Sequence, residues 1–215
     1  MELSLLASGA DADVFAMDEA RVLRRSRNPR SDSSREATLM QHAGNAGYPV
    51  PHVFAVSGPT LVLTRVYGPT MLEALLDGRL DLDEGGRMLV SLLKRLHAIA
   101  PPKGTPEGSR LVHLDLHPLN VLLSPDGPVV IDWANARLDH PEFDVALSAL
   151  VIALAASQPG ANAEPARLLL KAFLAESGPP APRPLTRAVA FRTADRNFTD
   201  AERAAMPSAV DLLSR

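Results

Sequence analysis

The sequence of 215 residues contains no cysteine and few aromatic residues, which make up 4% of the chain. Without cysteine the chain forms no disulfide, no thiolate metal site and no cysteine nucleophile, which suits a reducing compartment. Positive charge is not in excess either, because 22 Lys and Arg residues stand against 25 Asp and Glu residues. We therefore expect no general basic field for nucleic acid or for an anionic membrane surface.

Long hydrophobic runs are missing as well. The longest one, from Val145 to Ala156, has 12 residues and contains a serine, whereas a membrane span needs about 20. The first six residues lack the positive region and the apolar stretch of a secretory signal. We expect the apolar run to form a buried helix, and we expect a cytoplasmic protein without a membrane association.

The composition that remains is that of a globular chain, with 46% hydrophobic and 22% charged residues. Its length is sufficient for one or two domains with their own core. Alternating apolar patterns and turn residues predict a five-stranded meander with one inserted helix in the first third. The strands are expected at 3–7, 14–17, 21–25, 52–56 and 60–66, and the helix at 32–46.

The remaining two thirds are predicted to be mostly helical. Helices are expected at 71–76, 83–99, 143–157, 165–177, 185–197 and 200–214, with short β segments between 111 and 132. Candidate capping boxes pair Ser33 with Glu36 and Thr199 with Glu202. The sequence therefore predicts an α+β fold with a small β-rich domain, residues 1–66, and a larger helical domain, residues 67–215.

The chemically informative stretch lies between residues 111 and 133. It places two carboxylates and a carboxamide on loops beside short apolar strands, with Asp115 five residues before Asn120 and Asp132 after an apolar strand. One Asp can accept a hydroxyl proton while Asn120 and Asp132 bind Mg²⁺, because this hard cation prefers oxygen ligands. The spacing favours phosphoryl transfer.

The same stretch allows two other interpretations. His113, Asp115 and His117 alternate along the chain, so on a strand they would share a face and form part of the zinc-type site of a metal-dependent hydrolase. In the second interpretation, the polar side chains only satisfy hydrogen bonds of the loop backbone. For the two histidines we expect this structural role.

The run HLDLHPLNVLL, followed after a turn by IDW, resembles the catalytic segment of the aminoglycoside phosphotransferase and choline kinase family. The resemblance implies a bilobal protein-kinase-like fold that transfers the γ-phosphate of ATP or GTP to a hydroxyl group of a small acceptor. It implies that Asp115 is the catalytic base and that His113 supports the catalytic loop. Asn120 and Asp132 would hold Mg²⁺ on the nucleotide phosphates.

The N-terminal third is similar to the nucleotide-binding elements of that family. Ser8 and Gly9 begin a turn that resembles the family's phosphate-covering turn. The phosphate-gripping lysine of the family falls on Arg24, because the chain has no lysine before Lys94, and arginine brings a planar fork instead of a point charge. Glu36 would either pair with Arg24 or complete the capping box.

Two further segments match the family. Residues 61–68 resemble the interlobe hinge, in which the backbone of Thr64 and Val66 would meet the adenine edge. Asp144 would hydrogen-bond to the backbone of the catalytic loop from the start of the buried helix.

Family acceptors include aminoglycosides, choline, homoserine and sugars. The region from residue 134 onward has a net charge of zero and offers no excess of carboxylates to a polycation. The leading interpretation is a small-molecule kinase. The alternative is a nucleotide-binding pseudokinase or regulatory module that lacks turnover because of Arg24.

Overall fold

The computed structural model describes residues 3–214, and its first third is a five-stranded antiparallel sheet. The strands are β1 (Ser4–Ser8), β2 (Ala12–Ala16), β3 (Arg21–Ser26), β4 (Val53–Ser57) and β5 (Thr60–Thr64), with helix α1 (Ser34–Asn45) between β3 and β4. The order is β1-β2-β3-β5-β4, so the predicted meander is wrong at its last step. Strand β5 buries Leu61 and Leu63 and takes the inner position, whereas most of β4 is exposed at the edge.

The rest of the described chain is mainly helical, as predicted. The helices are α2 (Met71–Leu76), α3 (Leu82–His97), α4 (Pro141–Ser157), α5 (Ala163–Ser177), α6 (Pro182–Thr193) and α7 (Asp200–Leu213). Between α3 and α4 lie β6 (Arg110–Val112), a 3-10 turn (Pro118–Asn120), β7 (Val121–Ser124), β8 (Gly127–Val130) and β9 (Arg137–Asp139). Strand β6 pairs with β9, and β7 pairs with β8.

Helix α4 is the centre of the helical part and packs against α3, α5, α6 and α7. It is buried over most of its surface, as its apolar run predicts; Ala146, Leu150 and Ala153 are fully enclosed, and Ala155 is the one exposed residue of the run. Helices α3 and α5 can approach closely because Gly86 has no side chain. A Cβ at this position would lie only 2.6 Å from the Cβ of Ala172. Among residues 3–214, no helix is long and apolar enough to cross a membrane.

One of the two predicted capping boxes forms. The hydroxyl of Thr199 accepts from the backbone N–H of Glu202 at 3.2 Å, and the Glu202 carboxylate accepts from the backbone N–H of Thr199 at 3.0 Å. At α1, the Ser33 hydroxyl caps nothing, so the box predicted there is wrong. Glu36 turns instead toward a buried guanidinium of the sheet, which is a stronger partner than a backbone N–H.

Candidate active site

Arg24 on β3 joins the sheet, α1 and the loop after β8. Its Nη1 donates to Oε2 of Glu36 at 3.1 Å, and its Nη2 donates to Oδ1 of Asp132 at 2.9 Å. This contact decides between the two alternatives for Glu36 in favour of the ion pair. Burial raises the pKa of Glu36 more than the neighbouring guanidinium of Arg24 lowers it.

The loop that carries Asp115 is held in an unusual backbone conformation. Leu114 has a φ of 60° and Asp132 has a φ of 61°, a left-handed region that non-glycine residues adopt at a cost of about 1–3 kcal/mol. Asp144 at the start of α4 fixes the first of these turns, because its carboxylate accepts from the backbone N–H groups of His113 at 2.8 Å and Leu114 at 2.7 Å. The predicted contact of Asp144 with this loop is confirmed.

Asp144 is also tied to the helical core. It is fully buried, and its Oδ2 lies 2.9 Å from Nε2 of His97 on α3. No local pattern marked His97, which lies in the polar last turn of α3 and meets its partner only through the tertiary fold. The loop is therefore anchored from two helices that are themselves packed in the core.

Asp115, His117 and Asn120 form a hydrogen-bonded group at the end of this loop. The Nδ2 of Asn120 donates to the carbonyl oxygen of Asp115 at 2.8 Å and to its Oδ2 at 3.1 Å. The Nε2 of His117 lies 3.4 Å from Oδ1 of Asp115. Burial alone would raise the pKa of Asp115, but the hydrogen bond and charge of His117, with smaller effects of His113 and Arg192, bring it below its usual value.

His113 is enclosed beneath this group. Its Nε2 lies 3.1 Å from the carbonyl oxygen of Ile131, and its ring meets the ring of Trp133 edge-on at 5.1 Å between centroids. Burial lowers the pKa of His113, which favours the neutral ring. The environment is that of a structural histidine that joins the two loops.

The three-residue metal site of the hydrolase interpretation does not form in the described part of the chain. In the described part of the chain, no group of three or more His, Cys, Asp and Glu side chains is placed to hold a metal ion. The predicted alternation of His113, Asp115 and His117 on one strand face fails because the left-handed turn at Leu114 interrupts it. Only Asp115 and His117 come together.

Asn120 and Asp132 offer two of the oxygen ligands that a Mg²⁺ ion prefers. The carbonyl oxygen of Asn120 accepts from the backbone N–H of Ile131 at 3.0 Å, so Asn120 and the residue before Asp132 are directly joined. Because the amide nitrogen of Asn120 is directed to Asp115, its side-chain oxygen is the end left for a cation. The side chain of Asp132 is 41% exposed. A carboxylate and an amide oxygen are hard ligands, and the pair fits Mg²⁺.

The turn between β1 and β2 is closed by its own side chains and by the end of α6. The hydroxyl of Ser8 donates to Asp13 at 2.7 Å, and the backbone N–H of Gly9 donates to the carbonyl oxygen of Ala12 at 2.9 Å. Asp11 at the tip pairs with Arg196 and accepts from Asn197 just after α6. Sequence patterns gave no sign of this contact, because its partners lie about 185 positions apart.

The segment after β5 passes directly over β7. Gly68 has a φ of 145°, and a Cβ there would lie 2.0 Å from the carbonyl oxygen of Leu123, so only glycine fits. The N–H of Leu123 then donates to the carbonyl oxygen of Pro69 at 2.8 Å. Thr64 and Val66 thus immediately precede a crossing that brings the chain next to β7, the strand that starts at the residue after Asn120.

A β-rich domain, a helical domain and these loops define a bilobal protein-kinase-like molecule, and the comparisons with known proteins agree. The chain belongs to the Phosphotransferase enzyme family, whose model matches residues 2–110 and 101–185. A comparison with curated proteins found no match.

Solved structures show the same fold. Aminoglycoside phosphotransferase APH(4)-Ia is 15% identical with a TM-score of 0.68, covering 99% of this chain and 93% of that one. The ADP-bound aminoglycoside phosphotransferase APH(2'')-Ib is 17% identical with a TM-score of 0.60, covering 99% and 92%. A thermostable mutant of APH(4)-Ia in complex with AMP-PNP and hygromycin B is 16% identical with a TM-score of 0.66, covering 99% and 93%. The predicted α+β, protein-kinase-like fold class is therefore confirmed.

Proposed function

We propose that this protein is a Mg²⁺-dependent small-molecule kinase that transfers the γ-phosphate of ATP or GTP to a hydroxyl group. The observation that carries the proposal is the joining of Asp115, Asn120 and the segment of Asp132 by short hydrogen bonds on two adjacent loops. Membership of the phosphotransferase family supports the reaction class. The ADP, AMP-PNP and hygromycin B bound to structural neighbours support a nucleotide donor and a small acceptor.

The nucleotide would lie between the two lobes, whose boundary we place between residues 66 and 67. The backbone of Thr64 and Val66 would meet the base, and the turn that begins at Ser8 and Gly9 would cover the phosphates. Arg24 would contact the phosphates directly. Glu36 would hold the guanidinium in place, as its 3.1 Å contact with Arg24 indicates.

Asn120 and Asp132 would hold Mg²⁺, which supplies charge neutralisation at the β- and γ-phosphates when it is bound. The fixed backbone of this site supports the assignment. Asp132 has a left-handed backbone and a side chain that is 41% exposed, and the amide of Asn120 is oriented by Asp115. Such orientation before binding lowers the entropic cost of assembling the reactants.

Asp115 would act on the acceptor. The acceptor oxygen forms a bond to the γ-phosphorus, the bond from that phosphorus to the β,γ-bridging oxygen breaks, and the nucleoside diphosphate leaves. The hydroxyl proton passes to the carboxylate of Asp115, which is ionised because His117 keeps its pKa low. The contribution of His113 is to hold the loop, since its buried ring reaches only the backbone of Ile131 among its polar neighbours.

The ion pair of Arg24 with Asp132 supports a second candidate function. A guanidinium 2.9 Å from the metal-binding carboxylate neutralises the charge that Mg²⁺ needs. A nucleotide-binding module without turnover could retain this contact permanently. In the kinase, the nucleotide phosphates would draw Arg24 away from Asp132.

Thermal unfolding with ATP or GTP, each with and without Mg²⁺, tests the proposal, together with a screen for ADP or GDP release against sugars, amino alcohols, choline and aminoglycosides. A ligand at 100 times its dissociation constant adds about 2.7 kcal/mol to the free energy of unfolding. We expect stabilisation that requires Mg²⁺, and acceptor-dependent release. No stabilisation by any triphosphate contradicts the proposal, and binding without turnover across the screen favours the second candidate.

A further inference from the structure

The turn between β1 and β2 contacts the helical domain at its tip. Asp11 pairs with Arg196, whose Nε donates to Oδ1 of Asp11 at 3.2 Å, and Nδ2 of Asn197 donates to Oδ2 of Asp11 at 3.1 Å. Both carboxylate oxygens are therefore engaged by consecutive residues of the segment between α6 and α7. We call this contact of Asp11 with Arg196 and Asn197 the clasp.

The clasp lies at the opposite end of the sheet from the covalent connection between the two domains. Ala12, beside the turn, pairs with Ser26, whereas Thr64, just before the connection, pairs with Arg21. The six residues of β3 from Arg21 to Ser26 span about 16 Å. Arg24 lies on β3 between these two ends. The domains are thus joined on both sides of the residue that would contact the nucleotide phosphates.

The clasp also borders the space that Arg24 faces. Asp11 and Arg196 line a cavity of about 510 Å³, and Arg24 and Glu36 line the same cavity. A triphosphate in contact with Arg24 would therefore lie behind the clasp. Separation of Asp11 from Arg196 would open this end of the cleft between the domains.

The turn that carries Asp11 is fixed to the sheet. Nη2 of Arg27, the residue after β3, donates to the hydroxyl of Ser8 at 2.6 Å and to Oδ1 of Asp13 at 2.9 Å. The backbone N–H of Arg27 donates to the carbonyl oxygen of Asp11 at 2.9 Å. We therefore expect the turn to move together with β3 and not as a separate loop.

Arg196 and Asn197 are held equally firmly on the helical side. The carboxylate of Asp195 accepts from the backbone N–H of Asn197 at 2.8 Å and from Nη1 of Arg192 at 2.9 Å. The Nε of Arg192 also donates to Glu202 on α7 at 3.1 Å. The two donors of the clasp therefore extend from a segment that is fixed to both α6 and α7.

The clasp itself is weak in comparison. The side chains of Arg196 and Asp11 are 64% and 44% exposed. An exposed ion pair shifts an equilibrium by about fivefold at most, because water and salt screen it. The clasp can therefore break without unfolding either of the segments that it joins.

We propose that Asp11, Arg196 and Asn197 are positioning residues that hold the phosphate-covering turn against the helical domain while a nucleotide is bound. The clasp opens when the nucleotide enters or leaves, and its strength sets how long the nucleotide is retained. This inference rests on the proposed kinase function. It adds a nucleotide-retaining role for the segment between α6 and α7.

Release of a fluorescent nucleotide tests the clasp without an acceptor. Mant-ADP or mant-GDP bound with Mg²⁺ is displaced by excess unlabelled nucleotide in a stopped-flow fluorimeter. Arg196→Ala should speed release by about two- to fivefold, and Asp11→Ala at least as much, because it removes the partner of both donors. Asp11→Ala with Arg196→Ala should release no faster than Asp11→Ala, since the two substitutions break one contact. Arg183→Ala, at an exposed arginine of α6, is the matched control and should release at the wild-type rate.

The absence of cysteine allows a second test that moves the rate in both directions. Asp11→Cys with Asn197→Cys carries the only two thiols of the chain. Before cross-linking, this variant lacks the clasp and should release the nucleotide faster than the wild type. A short bis-maleimide that links the two thiols holds the contact closed and should slow release below the wild-type rate. The same variant with each thiol capped by N-ethylmaleimide is the control and should keep the fast release.

Release at the wild-type rate in both Arg196→Ala and Asp11→Ala overturns the proposal. Slower release in these variants also overturns it, because the contact would then obstruct the nucleotide instead of retaining it. Failure of the two introduced thiols to link, or release from the linked protein as fast as from the capped protein, contradicts the clasp as well.

The same measurements separate this inference from the proposed function. If the wild type binds mant-ADP or mant-GDP with Mg²⁺ and the alanine variants release it at the wild-type rate, the kinase function stands and the clasp is wrong. If the wild type binds neither nucleotide, the kinase function fails and the inference fails with it.

Discussion

The guanidinium of Arg24 donates to the carboxylate of Asp132 at 2.9 Å, across 108 positions of the chain. The same guanidinium contacts Glu36, so one side chain on β3 connects α1 with the loop that would hold the metal. Arginine allows this bridge because its planar fork has donors on two terminal nitrogens, whereas a lysine offers a single point of contact.

Substitution of Arg24 tests its place at the nucleotide phosphates. Arg24→Ala should lower turnover strongly and should cost about 3 kcal/mol of unfolding free energy, because it leaves the buried Glu36 without its charged partner. Arg24→Lys should preserve or raise turnover, since a lysine still reaches the phosphates and releases Asp132. The measurements are steady-state kinetics and denaturant unfolding.

Arg25→Ala is the matched control, because Arg25 is the exposed neighbour on the same strand. Arg25→Ala should leave the turnover and the unfolding free energy nearly unchanged. Equal turnover of the wild type and Arg24→Ala would show that Arg24 is only a structural arginine.

Asp132→Asn should abolish Mg²⁺-dependent turnover and leave the fold intact. Asparagine also tolerates the φ of 61° at this position, so the substitution changes the charge and not the backbone. The pair with Arg24 is partly exposed, so its loss should cost no more than about 1 kcal/mol. Turnover against Mg²⁺ concentration and an unfolding curve are the measurements. If Asp132→Asn turned over at the wild-type rate at the Mg²⁺ concentration that the wild type needs, Asp132 would not be a metal ligand.

Asp144→Asn should destabilise the loop that carries Asp115. One carboxylate accepts from the N–H groups of His113 and Leu114 and also contacts His97. An amide has one oxygen acceptor, so at least one buried N–H group loses its partner, at a cost of about 1–3 kcal/mol. Unfolding free energy and turnover should both fall.

The exposed turn residue Asp126 provides the control for Asp144. Asp126→Asn should change the unfolding free energy by less than about 0.5 kcal/mol. If Asp144→Asn changed the unfolding free energy as little as Asp126→Asn does, the loop would not depend on the carboxylate of Asp144.

The stability of the protein should decrease below a pH of about 6.5 because of His113. Burial lowers the pKa of His113 in the folded state, although the charges of Asp144, Asp115 and Asp132 oppose this effect. The unfolded chain therefore binds a proton first as the pH falls, and stability is lost by at most about 1.4 kcal/mol per pH unit. His113→Gln should have a smaller loss between pH 7.5 and 5.5.

His52→Gln, at an exposed histidine, should behave like the wild type in the same pH series. The unfolding free energy at several pH values is the measurement. An equal acid dependence in the wild type and His113→Gln would assign the effect to other groups.

Much of the fold follows from local sequence patterns. The bounds of α2 match the prediction, and the capping box of Thr199 forms because both of its partners lie within one turn of the chain. Strand β9 could not be predicted, because three residues have no periodicity and their pairing with β6 is a tertiary contact. The order of β4 and β5 likewise depends on which strand the core buries.

The candidate site also combines features that local sequence predicts with features that only the tertiary fold determines. The sequence shows the spacing of Asp115, Asn120 and Asp132. The hydrogen bonds of Asn120 to Asp115 and to Ile131 depend on turns that bring separate segments together. Ser33 and Glu36 have the spacing of a capping box. The box does not form because Glu36 pairs with the buried guanidinium of Arg24, a contact that the local pattern does not show. The pairing of Asp11 with Arg196 has no local pattern at all.

The most direct measurement compares Asp115→Asn with the wild type in turnover and in nucleotide affinity, on an acceptor that the wild type phosphorylates. Asparagine keeps an oxygen acceptor for Asn120 and loses the base. The account predicts that turnover falls by about 10²–10⁴-fold, the usual contribution of a general base, while the nucleotide dissociation constant changes little. Full turnover in Asp115→Asn would contradict the catalytic assignment of Asp115.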